Sequence, residues 1–147
     1  MSSREAPLRD EYHWFTPITT RWADNDIYGH VNNVVYYSYF DTVANNYLIE
    51  AGDLDIHAGP AIGLVVASGG SYHAPVGHPE KLIGGLRTDR LGNSSVQYGI
   101  AIFIDGETRA VANGTFTHVF VDRHERRSVP IPHPIRAATE QLRPEAR

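Results

Sequence analysis

An α+β fold follows from two patterns in this chain and from one missing feature. A single stretch of helical periodicity runs from Asn33 to Ala51, and nearly everything after the next loop alternates as strands. An Asp105-Gly106 pair then joins two long alternating runs, as a two-residue hairpin does. The alternating crossover helices that a parallel sheet requires are missing. The chain of 147 residues is read as a single domain over 1–147, with loosely ordered ends at 1–13 and 136–147.

Taken in order, Thr16 to Ala23 reads as a first strand, with β-branched Ile18, Thr19 and Thr20, despite Pro17 near its start. Asp24 to Gly29 has turn chemistry. In the helix, Tyr36, Phe40, Val43 and Tyr47 recur on one row, and Tyr37, Ala44, Leu48 and Ala51 on its neighbour. Asn32 or Asn33 suits the N-cap and Gly52 the left-handed residue beyond the end. So wide an apolar arc is expected where a sheet wraps a helix. Leu64 to His73 and Leu82 to Arg90 are further strands. In Ser95 to Ile104, Val96, Tyr98, Ile100, Ile102 and Ile104 share a face. The returning strand, Glu107 to Asp122, carries Ala110, Ala112 and Gly114 on the face of Phe116, His118 and Phe120, so a helix can approach closely. From Pro130 the tail leaves the sheet and ends in a frayed helix.

Composition narrows the function. Thirteen Lys+Arg against seventeen Asp+Glu leave a formal charge of −4, which disfavours a nucleic-acid partner. No apolar run approaches the ~20 residues that cross a bilayer, and the N-terminus lacks a signal core. With no cysteine there is no thiol nucleophile, thiolate metal site or disulfide framework. The cytoplasm is the expected location. Eight histidines show no His-x-x-x-His or His-Glu-x-x-His spacing, so no metal is expected. Gly-x-Ser-x-Gly, Gly-x-Gly-x-x-Gly and P-loop motifs are also absent.

The most informative stretch is Arg21 to Phe40. Its Asp24, Asp26, Gly29 and Val31, followed by Asn32, Asn33 and Tyr36, give Asp-x-Asp-x-x-Gly-x-Val and then a helix. This segment resembles the loop and central helix of the hotdog-fold acyl-CoA thioesterases, the broad group around 4-hydroxybenzoyl-CoA thioesterase. The resemblance implies an antiparallel sheet wrapped around one long central helix, and a hydrolase acting on acyl-CoA. No cofactor is implied, since coenzyme A is part of the substrate. It also implies a homodimer, or a tetramer, with subunits joined in a continuous sheet and sites at the interface.

Carried over residue by residue, Asp26 is the nucleophile or general base toward the thioester carbonyl. In an arbitrary sequence an aspartate before a helix serves a turn or a cap; within this motif the catalytic reading prevails. Asp24 is read as organising the loop. Gly29 and the following backbone N–H groups at the helix start supply the electrophilic half, although Gly29 also suits a tight turn. His30 orients Asp26, contacts substrate or caps the loop. Asn33 and Tyr37 line an acyl pocket or order the loop, while Tyr36, Phe40 and Tyr47 are assigned to the core. Ser94 and Ser95, in Gly92-Asn93-Ser94-Ser95-Val96, resemble the strand start that borders the pantetheine and phosphate region. Arg90, with Arg87 as a second candidate, meets coenzyme A phosphates. Arg123, Arg126 and Arg127 are read as a solvated face.

Two departures turn the reading away from a hydroxybenzoyl substrate. Leu91, Gly92 and Asn93 replace that enzyme group's basic cluster, and Ile27 stands where it has a proline. Two alternatives share the fold. A hydratase or dehydratase of acyl thioesters pairs a carboxylate with a histidine, but Ile27-Tyr28-Gly29 lacks the Asn-Pro of that signature. A non-catalytic acyl-CoA binding module has no use for Asp26.

Overall fold

Helix α1 occupies Asn33–Ala51 and lies across one face of a five-stranded antiparallel sheet. The computed structural model describes residues 5–144. The strands are β1 (Trp14–Ile18), β2 (Ala61–Tyr72), β3 (Leu82–Leu91), β4 (Ser95–Ile104) and β5 (Ala112–Asp122), in the spatial order β1-β3-β4-β5-β2. A second helix, α2 (His133–Gln141), closes one end. This is the hotdog arrangement, and the α+β class expected from the sequence.

The core explains why α1 sits there. Tyr36, Phe40, Val43, Ala44, Tyr47 and Leu48 are buried against the face bearing Leu86, Tyr98, Ile100 and Phe116. Gly114 makes the approach possible. A Cβ at Gly114 would stand 2.7 Å from the Phe40 ring and collide with the Gly69 carbonyl. At Gly84 a Cβ would collide with Val43.

Four expectations are corrected. The first strand is Trp14–Ile18 and not Thr16 to Ala23. It is an edge strand paired only with β3, so Pro17 opposite Ile83 is tolerated. Trp22–Asp24 turns as a 3-10 helix instead, because the Asp24 carboxylate draws in the Arg21 N–H at 2.9 Å.

Asp105-Gly106 turns the chain, but not as a two-residue hairpin. Gly106 has φ +88, and strand pairing resumes only at Ile102 opposite Ala112. Residues 108–110 pair instead with the N-terminal segment, through Arg9 N to Thr108 O at 2.8 Å and Ala110 N to Pro7 O at 3.0 Å.

That pairing also changes the reading of the ends. Residues 1–4 and 145–147 lie outside the described residues, but each expected loose end also contains residues packed on the sheet or on α1. Tyr12 is buried with Ala101, Phe103 and Ala110 on the outer face of the sheet, and Phe15 packs beside it. Arg87 lies 4.8 Å above the Tyr12 ring, and burial raises the Tyr12 phenol to about 12. In α2, Ile135 and Ala138 are buried, as is Leu142 just beyond, while Ala138 O accepts from the Tyr47 hydroxyl at 2.6 Å.

Finally, Gly52 ends α1 at φ −98, outside the left-handed region, and Asp53 at φ +56 takes that conformation. Gly52 is needed for space: a Cβ there would meet the Leu48 carbonyl at 2.8 Å.

Candidate active site

The loop between Arg21 and Asn32 is held from below by a buried carboxylate. Asp24 is 1 % exposed. It accepts from the Tyr39 hydroxyl at 2.6 Å, from the Arg21 N–H at 2.9 Å and from Arg21 Nε at 3.0 Å, and it pairs with the Arg21 guanidinium at 2.8 Å. Burial pushes the Asp24 carboxyl up, but the Tyr39 and Arg21 hydrogen bonds outweigh it and hold the group below the ordinary carboxylate value. Its backbone carbonyl accepts from the Asn32 N–H at 3.0 Å, which ties the loop to the start of α1. The loop-organising reading of Asp24 thus has a physical basis, and Tyr39 is a member that spacing along α1 did not reveal.

Asp26 opens a tight turn above this anchor. Its N–H donates to His30 O at 2.9 Å, its carbonyl accepts from Gly29 N–H at 3.0 Å, and its Oδ1 accepts from Tyr28 N–H at 2.9 Å. Gly29 has φ +82, a conformation L side chains rarely adopt. Asn25 and Val31 close the base as an isolated bridge. The Val31 N–H to Val76 O bond, 2.7 Å, and the His78 N–H to Asn25 Oδ1 bond, 2.9 Å, dock the turn against the loop before β3.

The helix start faces the same region. Asn32, not Asn33, is the N-cap, its Oδ1 accepting from Val34 N–H at 2.9 Å. Its carbonyl accepts from Val35 N–H at 2.9 Å. Anionic or partly anionic groups are favoured at such a helix end.

A cavity of about 500 Å³ is lined by Asp26, His30, Asn33, Tyr36, Tyr72 and His73, among others. It therefore unites three of the sequence candidates, Asp26, His30 and Asn33. Gly29 lies on the wall of a second cavity, of about 550 Å³, which also includes Asp26. Tyr37 is one place removed: it packs edge-on to Phe40 and neighbours Tyr72, whose phenol is raised by burial and then by Tyr37. Tyr36 is core, as its spacing suggested, and cavity wall as well. Tyr72 and His73 were not singled out from the sequence. They arrive from the end of β2, and only the packed sheet brings Tyr72 to Asn33, with hydroxyl to carbonyl 3.4 Å.

Arg90, Ser94 and Ser95 lie elsewhere. Tyr72 aligns through Ala112 with Ile102, whereas Leu91 aligns with Val96 at the other end of β4. Seven residues of strand, roughly 23 Å, separate Ser95 from Ile102. Arg87 is engaged with Asp89 at 2.8 Å and Glu11 at 3.7 Å on the outer face. Arg123, expected on a solvated face, instead ties down the loop before β2 by donating to Gly59 O at 2.6 Å and Ile56 O at 3.0 Å. Among the described residues no cluster of three metal-binding side chains occurs, and no helix is long and apolar enough to cross a membrane.

Several known structures resemble this one. The PA5185 protein from Pseudomonas aeruginosa is 56 % identical, aligns over 97 % of this chain and 99 % of its own, and superposes with a TM-score of 0.94. PA2801 from Pseudomonas aeruginosa, which carries a provisional thioesterase designation, is 31 % identical over 90 % of this chain and 98 % of its own, at 0.77. Slr0204, a 1,4-dihydroxy-2-naphthoyl-CoA thioesterase from Synechocystis, shares the fold at 0.77 with 19 % identity, over 87 % and 96 %. No curated protein matches the chain. The family model for the thioesterase-like superfamily matches residues 20–139, a span that takes in the loop, α1, the sheet from β2 onward and most of α2. By that match, this chain belongs to the thioesterase-like superfamily.

Proposed function

We propose that the protein hydrolyses acyl-CoA thioesters to a free carboxylic acid and coenzyme A, with Asp26 as nucleophile or general base. The observation that carries this reading is the place of Asp26: half-buried, in a turn directly before the α1 N-terminus, on the wall of a cavity shared with His30 and Asn33. Water, deprotonated by Asp26, adds to the thioester carbonyl carbon, or the Asp26 carboxylate itself adds. Charge develops on the carbonyl oxygen, where the backbone donors at the helix start, Asn33 N–H first among them, stabilise it; Gly29 shapes the turn, its own N–H being held by the Asp26 carbonyl. The C–S bond then breaks and the thiolate leaves, taking up the proton that Asp26 drew from water; in the nucleophilic route its departure leaves a mixed anhydride, which water hydrolyses to the free acid and Asp26, one proton of that water going to the thiolate. This route needs no cofactor, coenzyme A being part of the substrate. His30 contacts substrate or orients Asp26, and Asn33 and Tyr37 border the acyl group.

The working unit in this reading is a homodimer. Strand β2 is twelve residues long, pairs on one side only and contains neither charge nor proline from Ala61 to Tyr72. Leu64, Val65 and Val66 on it are exposed. An edge so unprotected invites pairing with a second copy. With five to seven residues of strand, roughly 17–23 Å, between them and the cavity end of β4, Arg90, Ser94 and Ser95 serve a substrate bound mainly by a partner in this reading.

The test is thiol release from short, long and aromatic acyl-CoAs by wild type and Asp26→Asn. Release that disappears in a folded Asp26→Asn variant is the expected result, with loss of about 100-fold or more. Wild type that releases no thiol from any member of the panel would sink the acyl-CoA reading.

A further inference from the structure

The tip of the turn that carries Asp26 stands in solvent: Ile27 is 92 % and Tyr28 78 % exposed, and Gly29 and His30 are exposed too. The Asp24 anchor holds only the root, since its bonds go to Arg21, Tyr39 and Asn32. A second segment, residues 76–80, reaches what Asp24 does not. It starts from Val76, which is buried in the core, and meets the turn at three points. Val76 O accepts from Val31 N–H at 2.7 Å, and His78 N–H donates to Asn25 Oδ1 at 2.9 Å. Gly77 lies so close that a Cβ there would collide with the Gly29 carbonyl. Its φ is not positive, so the close approach is what calls for glycine. Asn25 precedes Asp26 and Val31 follows His30, so these contacts bracket both residues.

This segment is itself tied down by Thr20, which is buried. The Thr20 hydroxyl donates to Glu80 O at 3.1 Å and lies 3.0 Å from His78 Nδ1. A hydroxyl has one proton to give, and it goes to Glu80 O, so the second bond runs from His78 Nδ1–H to Thr20 Oγ1. One threonine thus holds both ends of His78-Pro79-Glu80, and Glu80 N–H closes the loop on Gly77 O at 3.0 Å. Thr20, Gly77 and His78 line neither cavity on which Asp26 stands. They touch the backbone and side chains that set where the Asp26 turn lies. From this geometry, and resting for its catalytic consequence on the thioesterase reading above, we infer that Thr20, Gly77 and His78 are positioning residues. They form a strap that clamps Asp26 and His30 at the points Asp24 does not reach.

A carboxylate held loosely slows the chemical step and leaves substrate affinity alone, and that split tests the strap. Thr20→Val keeps the shape of the side chain and removes the hydroxyl, whereas Thr20→Ser keeps the hydroxyl. Gly77→Ala drives a methyl between the strap and Gly29. Thr20→Val and Gly77→Ala should each lower kcat for thiol release about tenfold with KM unchanged, and Thr20→Ser should stay near wild type. Amide hydrogen exchange reads the same strap without activity. The N–H groups of Asp26, Gly29 and Val31 are all hydrogen-bonded, and in Thr20→Val they should exchange about fivefold faster. Ile100 and Ile102 in β4 should keep the wild-type rate.

Three results would overturn the inference. One is exchange in the Asp26 turn that Thr20→Val leaves unchanged. Another is exchange that rises equally in the turn and in β4, the mark of a general loss of stability. The third is a turn whose exchange quickens while kcat stays at the wild-type value. Absence of hydrolysis in wild type, with exchange quickened by Thr20→Val in the turn alone, would instead refute the hydrolytic reading of Asp26 and leave the strap in place.

Discussion

His118 offers a prediction whose size follows from its surroundings. It is 1 % exposed, lies between Phe116 and Phe120 along β5, and meets the Tyr98 ring edge-on at 5.0 Å. Its Nδ1 has no hydrogen-bond partner among the described residues. Burial lowers its pKa from 6.5 to about 4. In the unfolded chain the imidazole titrates at its ordinary value, so between those two values the unfolded state binds the proton and the folded state does not. Stability is therefore intact above pH 6.5 and falls as the pH drops toward 4, by ~1.4 kcal/mol per pH unit. From pH 6.5 to 4.5 the loss is about 2 kcal/mol, a sizeable part of the ~5–15 kcal/mol typical of a domain. The lowered carboxylates Asp24, Asp55 and Asp122 act in a lower window, since their ordinary value is 3.8. Urea unfolding at pH 7 and pH 4.5, for wild type and His118→Leu at one protein concentration, isolates the term. The leucine has similar volume and removes the orphaned nitrogen, so the variant should be no less stable at pH 7 and should lack the acid loss. Parallel pH dependences for the two proteins would refute the argument.

Other substitutions test the loop and the packing. Tyr39→Phe removes the shortest hydrogen bond to a buried carboxylate and should cost about 1.5–3 kcal/mol, read by denaturant midpoint. Asn32→Ala removes the α1 N-cap; a loss of about 1 kcal/mol is expected, with thiol release reduced as well because the cap sits at the cavity. Gly114→Ala drives a methyl into Phe40 and the Gly69 carbonyl, and should destabilise by about 1–3 kcal/mol in the same assay while its far-ultraviolet spectrum stays that of the wild type.

The parts of the fold legible in the sequence are those governed by local periodicity. Helix α1 spans Asn33–Ala51 as its spacing indicates, and β4 runs from Ser95 to Ile104 because five apolar side chains alternate there. What local patterns missed was decided by distant partners. Residues 108–110 look like strand continuing from a hairpin, yet their backbone groups are claimed by Pro7 and Arg9, about a hundred positions earlier. Asp105-Gly106 has the chemistry of a two-residue hairpin either way, so nothing nearby distinguishes the outcomes. The N-terminal segment reads as polar and loose because only Tyr12 and Phe15 belong to its buried side, and the apolar surface they cover is supplied by β4.

The site divides along the same line. Asp26, Gly29, His30 and Asn33 fall within eight residues, so one turn and one helix start suffice to place Asp26, His30 and Asn33 around a cavity. Asp24 and Tyr39 are fifteen residues apart, and their 2.6 Å bond depends on the loop folding back over the helix. That bond gives the anchor its logic. A carboxylate buried this deeply is costly unless several donors meet it, and these donors come from the loop itself and from α1. The loop therefore cannot shift relative to the helix without unpairing Asp24. Since Asn32 N–H also rests on the Asp24 carbonyl, the Asp26 turn and the helix N-terminus are held to one another through a single residue. A site that needs a carboxylate and a set of backbone donors at fixed separation gains that separation from Asp24, although Asp24 lines neither cavity.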